Sequence, residues 1–186
     1  MRRAHTRRPL VSACARRDSA SRRGQGLVEF ALILTPLMLI LMGIIQFGFI
    51  FNTYITVTNA TREAARAGSI YVYDRTLPSK ALNDAARNDA IKTTLTGSLN
   101  YLPKDAPRLT IGTTWTQSGT TYTNGDLVVS YNLPSGVIES DPRTGQQVTV
   151  RVTYHQDLLI PLIAALLPRD AGGRLPIPGE TTMVIN

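Results

Sequence analysis

The sequence predicts an α+β protein: a long N-terminal transmembrane helix that continues into an extracytoplasmic domain, where a second helix packs on a small antiparallel sheet. Three observations carry this expectation. Phe30 to Phe51 form 22 consecutive positions without a formal charge. Ala81, Ala85, Ile91, Leu95 and Leu99 fall within one broad helical arc. Four β-rich runs separated by turn residues follow.

The chain has 186 residues and a net charge of +7, and that charge is unevenly placed. Residues 1–24 hold eight arginines against Asp18, which gives 8 − 1 = +7, so residues 25–186 balance at 12 basic and 12 acidic. The basicity belongs to a leader rather than to a binding surface, which argues against a nucleic-acid partner. The only cysteine, Cys14, lies in the leader, so residues 25–186 have no thiol for a disulfide or a Cys-based metal site. "LVSAC", Leu10 to Cys14, has the outline of a lipobox but is preceded by arginine and proline, not by an apolar region.

Next comes the span. At about 1.5 Å per residue, 22 residues reach about 33 Å, enough for a hydrocarbon core of about 30 Å. Arginines crowd the N-terminal flank and the first charge beyond is Arg62, so the positive-inside bias sets the N-terminus in the cytoplasm. A cleaved secretory signal would have a shorter apolar region, and the Ala-x-Ala at Ala65 to Ala67 lies far past it with Arg66 inside. Pro36 cannot donate to the Leu32 carbonyl, which predicts a kink that the Thr35 hydroxyl relieves. Gly43 and Gly48 lack GxxxG spacing, and Gln46 is polar enough to seek a partner helix.

The helix is expected to continue beyond the lipid, from about Leu27 to Ala67. "NTYITVTNATREAARAGS" contains no proline and no glycine before Gly68, which is the expected C-cap.

These residues carry a family likeness. A basic leader ending in Gly24, then "QGLVEF" with an acid five residues after that glycine, an apolar helix and "NATREAARAGS" together resemble the TadE-like proteins, pseudopilins of the tight-adherence (Flp, type IVb) pilus. The resemblance covers about Arg22 to Ser69. It implies a single-pass component of the bacterial cytoplasmic (inner) membrane, cut by a prepilin peptidase between Gly24 and Gln25. It makes Glu29 the fifth mature residue and assigns Glu29 and Phe30 to the processing and subunit-alignment motif. The implied partners are membrane lipid, the peptidase, other pilins or pseudopilins and the assembly machinery. The expected domains are residues 1–24 as a cleaved cytoplasmic leader, 25–69 as the membrane helix with its extension, and 70–186 as the extracytoplasmic domain.

Within that domain, a second helix is expected over about Ser79 to Thr96, between Pro78 and Pro103 and capped by Ser79. The β-rich runs are "RLTIGTTWT", "DLVVSYNL", "QVTVRVTYH" and "TTMVI", with turns at Asn124-Gly125 and at Asp141 to Gly145. They predict an antiparallel meander of three or four strands with the helices on one face. "LLIPLIAALLP", Leu158 to Pro168, is too short to span and is interrupted by Pro161. Packing into the domain core is its expected role, with membrane contact or subunit contact as alternatives.

Catalytic patterns are lacking. No HExxH, Walker A loop, Gly-x-Ser-x-Gly or Cys/His cluster occurs, and His155 stands on a strand end beside Gln156 and Asp157. Asp126, Glu139 and Asp141 have Ca²⁺-ligand chemistry without EF-hand spacing, and turn formation is their simpler role. Trp115, Tyr122, Tyr131 and Tyr154 are expected on sheet faces. The sequence therefore points to a non-enzymatic assembly component without cofactor or metal. A never-processed membrane-anchored binding domain and an exported enzyme behind an atypical signal are the alternatives.

Overall fold

A computed structural model describes residues 18–136 and 143–186, with side chains from Gly24 onward except that of Leu162. Cys14, the leader up to Arg17, Glu139, Asp141 and the first part of the Asp141 to Gly145 turn lie outside the described residues. The chain divides into two units at Ile44 and Ile45.

Helix α1 is Asp18–Ser69, 52 residues. In the first unit its apolar residues are exposed all round, among them Leu27, Phe30, Ile33, Leu37 and Ile40. Hydrophobic residues on every side suit a lipid environment and not an amphipathic surface helix. The segment is long and apolar enough to cross a membrane. The helix continues through Pro36, and the Thr35 hydroxyl donates to the Ala31 carbonyl at 2.9 Å, its own partner four residues back, not to the Leu32 carbonyl.

The second unit contains the rest of α1, helix α2 (Lys80–Ser98), a four-residue helix α3 (Pro161–Ala164) and five strands. The strands are β1 (Thr116–Ser118), β2 (Thr121–Asn124), β3 (Leu127–Asn132), β4 (Gln147–Gln156) and β5 (Leu175–Val184). They pair antiparallel in chain order, β1-β2-β3-β4-β5. This is the meander expected, with one strand more than the upper count.

Here α1 is amphipathic. Gln46, Thr53, Val57, Ala60, Thr61, Ala64, Ala65, Gly68 and Ser69 are buried at helical spacing. Val57, Ala60, Ala64 and Ala65 join Ile91 and Leu95 of α2, and Leu99 just after it, in one core with the inward residues of the sheet. On β4 those are Val148, Val150, Val152 and Tyr154, while Arg151 between them is exposed. Both helices thus cover the same sheet face, as α+β layering requires.

Gly68 is not the C-cap. It is helical, and a Cβ there would lie 2.7 Å from Cδ1 of Ile91, so its lack of a side chain admits α2. Gly179 does the same on β5: a Cβ would meet Thr61 Oγ1 at 2.5 Å and Val57 Cγ1 at 2.9 Å.

Ser79 caps α2, accepting from the Leu82 N–H at 3.3 Å. Asn100, at φ +46°, follows Leu99 at the other end, the left-handed position that asparagine tolerates. The expected apolar arc holds only in the second half. Ala81 is exposed and Ala85 half-buried, and the first half buries Asn83, Asp84, Arg87 and Asn88 instead.

The strand expected over Arg108 to Thr116 is replaced by an irregular segment, with only Thr116 in β1. Its backbone makes single bonds instead of a ladder: Asp126 N–H to Thr110 O at 2.8 Å and His155 N–H to Arg108 O at 2.8 Å. The Asn124 side chain accepts from Gly112 N–H and donates to Gly112 O. Gly125, at φ +60°, makes the predicted β2–β3 turn, and any Cβ would strike the Thr110 carbonyl. β5 extends through Pro176, Pro178 and Gly179, beyond the expected "TTMVI", because an edge strand needs donors on one side only.

Leu158 to Pro168 does not enter the core. Only Ala164 among its described side chains is buried, and Leu159 and Leu166 are 67% and 83% exposed.

Candidate functional site

The residues singled out at the start of α1 occupy adjacent turns. Gly24 to Phe30 are all exposed. The Gln25 side-chain amide donates to Glu29 Oε1 at 3.0 Å, across one helical turn. Phe30 is 62% exposed beside them, and Pro36 lies on the next turns. The structure therefore brings Gln25 and Glu29 together, with Gly24 immediately before the pair.

Neither Gly24 nor Gly26 has any atom within 4 Å of where a Cβ would stand, and neither has a positive φ. No packing or backbone demand among the described residues requires glycine at either position. In a helix interior each costs about 1 kcal/mol relative to alanine. Gly68 and Gly179, in contrast, sit where a side chain would collide.

The titratable groups of the second unit form ties between loops and strands. His155 Nδ1 is 2.6 Å from Asp170 Oδ2 and Nε2 is 3.4 Å from Asp126 Oδ1, so both ring nitrogens face carboxylates. Asp126 also accepts from Thr110 N–H at 2.6 Å, a bond that ties the segment before β1 to the β2–β3 turn. Backbone donation from Arg174, with the nearby His155 ring, holds Asp170 below the usual carboxylate range. Asp157 is likewise lowered, chiefly by the Arg108 guanidinium at 2.6 Å and then by Arg174 at 2.8 Å. These contacts order the ends of the sheet. No group of three or more His, Cys, Asp or Glu that could hold a metal occurs among the described residues.

Sequence reasoning missed a buried ionic cluster. Asp84 takes two bonds from Arg143, Nε to Oδ1 and Nη2 to Oδ2, both 2.9 Å, with side chains 4% and 7% exposed. Arg143 also donates to Gln146 Oε1 at 2.8 Å and stacks 4.5 Å from the Tyr131 ring centroid. Tyr122 donates to Asp84 Oδ2 at 3.2 Å, Tyr131 to Asn88 Oδ1 at 2.7 Å. Burial pushes the Tyr131 hydroxyl well above its ordinary pKa. The partners are up to 59 residues apart, and no local pattern joins them. Also missed was the partner of Gln46: its Oε1 accepts from Leu159 N–H at 2.8 Å, within its own unit instead of on another helix.

No curated protein and no solved structure shows significant similarity to the chain. The helical segment is different. Residues 24–66, which begin at Gly24 and include the Gln25–Glu29 pair, match the family described as TadE-like protein.

Proposed function

We propose that the chain is a non-catalytic pseudopilin, or minor pilin-like membrane component, of tight-adherence (Flp) pilus assembly, processed by a prepilin peptidase after Gly24. In this reading the leader lies in the cytoplasm and residues 70–186 outside. The supporting observation is Gly24 itself: a helix-weakening residue whose Cβ position no packed group among the described residues approaches within 4 Å, one position before the Gln25–Glu29 pair. A glycine without a packing role fits recognition by another protein.

The chemistry follows from the register. Before cutting, Glu29 is interior to a helix that starts at Asp18, beyond reach of the positive helix end, whose effect fades within a turn. Hydrolysis of the Gly24–Gln25 bond moves that end to Gln25 and releases an α-amine with a pKa of about 7.7–8.0, mostly protonated at neutral pH. Glu29, one turn away, then gains a cation from its own chain or from a neighbouring subunit. An unpaired carboxylate at the bilayer centre costs about 2.5–3.5 kcal/mol and less near the interface, so pairing offsets much of that cost. The scissile bond lies within α1, and a peptidase needs local unwinding, which Gly24 and Gly26 ease.

Intact-mass measurement after coexpression with a prepilin peptidase tests the reading. A chain beginning at Gln25 supports it. Stable full-length chain overturns it in favour of an unprocessed anchored domain, and a start after Ala67 favours an exported protein. Glu29→Ala is expected to insert in the membrane but to be incorporated poorly into a pilus or pilin complex; normal incorporation would remove the pairing role.

A further inference from the structure

We propose that Leu158 to Pro168 is a second membrane contact, an apolar loop that enters the leaflet beside α1 on the side of the 45–186 unit. This rests on the reading of Phe30 to Phe51 as a membrane span. The loop is eleven residues without a charged or hydrogen-bonding side chain, bounded by Asp157 and by Arg169 and Asp170. Leu159 and Leu166 turn outward, and no described part of the chain covers them.

Its position identifies the occupant. The Leu159 N–H is bonded at 2.8 Å to Gln46, five residues before Phe51 and so about 8 Å inside the end of the apolar run at 1.5 Å per residue. The loop is therefore fastened to α1 at a level that the span places below the lipid surface. Irregular backbone survives there only if its polar groups are satisfied by protein. Four of the loop's N–H groups have protein partners: Leu159 donates to Gln46, and Ala164, Ala165 and Leu166 donate to Ile160, Pro161 and Ile163; Pro161 and Pro168 have no N–H to satisfy. The Leu159 bond gives the Gln46 side-chain oxygen its partner, while its Nε2 has none among the described residues.

Two tyrosines lie where this placement puts the lipid surface. Tyr54 on α1 is half exposed, and the fully exposed Tyr101 lies beside Asn52 and Thr56. Gln46 to Asn52 is six residues, about 9 Å along the helix, so these tyrosines fall at the headgroup level if the loop lies among acyl chains. Tyrosines are enriched at that level.

The test uses the full chain with Cys14→Ser, reconstituted in phosphatidylcholine vesicles. Single cysteines at Phe47, Leu159, Leu166 and Thr182 carry a nitroxide, and collision with oxygen is compared with collision with a water-soluble nickel chelate. The expected result is an oxygen-to-nickel ratio at Leu159 and Leu166 several-fold above that at Thr182, close to that at Phe47. A water-like ratio at the two leucines with a lipid-like ratio at Phe47 overturns the loop contact alone. Shielding from both reagents overturns it in favour of protein contact. A water-like ratio at Phe47 overturns the span and the loop contact with it.

Discussion

Asp84 and Arg143 show what a single residue contributes to this domain. The pair is buried, bidentate and further bonded through Gln146 and Tyr122, the conditions under which a buried ion pair offsets its desolvation. Removing Arg143 leaves Asp84 buried with only the Arg87 guanidinium at 3.7 Å and the Tyr122 hydroxyl as partners. Arg143→Ala is expected to destabilise the 45–186 unit by about 3–5 kcal/mol, measured by urea unfolding followed through tryptophan fluorescence. Arg143→Lys, which retains charge but not the forked geometry, is expected to fall between the variant and the parent. Asp157 makes a pH-dependent contribution. Its pKa is lowered by Arg108 and Arg174, so its stabilisation is complete above the unfolded value of about 3.9 and is lost as pH falls through the folded value. A carboxyl NMR titration should place its midpoint below about 3.9, and Arg108→Ala should raise that midpoint.

At the scale of elements, two glycines set how closely layers approach. Gly179→Ala drives a Cβ toward Thr61 and the Val57 carbonyl, and the Thr61 hydroxyl is itself tied to that carbonyl at 2.7 Å. Gly68→Ala meets only the end of the Ile91 side chain at the shortest distances, which yields more easily. Overpacking of this kind costs about 1–3 kcal/mol, and Gly179→Ala should lie toward the upper end, with the larger drop in melting temperature. Ile91→Val should partly rescue Gly68→Ala and leave Gly179→Ala unchanged. In α1, Gly26→Ala adds about 1 kcal/mol of helix propensity without touching the proposed scissile bond. If unwinding limits the peptidase, cleavage slows by up to about fivefold in a timed mass assay.

For the whole molecule the telling property is the partition of charge. All of the net +7 lies in residues 1–24, and residues 25–186 sum to zero. Processing at Gly24 would turn a strongly basic chain into one near neutrality, and isoelectric focusing before and after peptidase treatment should show that shift. A mature band that stays basic would mean that the cut is elsewhere or absent. The loss of net charge also removes the self-repulsion that keeps copies of a chain apart, which suits a subunit that must assemble.

The sequence by itself determined the features written in short-range patterns. The span is a charge-free run, the start of α2 is a serine before a helical segment, and the β2–β3 turn is Asn124-Gly125. Each depends on residues within a few positions of one another, where steric and hydrogen-bonding preferences act directly. The Gln25–Glu29 contact is of the same kind, but the start of α1 was not legible: the helix begins at Asp18, nine residues before the expected Leu27. Tertiary structure alone decided that α2 buries Asp84 and Arg87 where alanines were expected, because the bidentate partner of Asp84, Arg143, is 59 residues away, beyond the local Arg87 contact. It decided that Gly68 is a point of contact and not a helix stop, since the Ile91 side chain occupies the space where its Cβ would stand. It likewise turned Leu158 to Pro168 away from the core and fixed it to Gln46, 113 residues distant, a bond that no local pattern of apolar residues encodes.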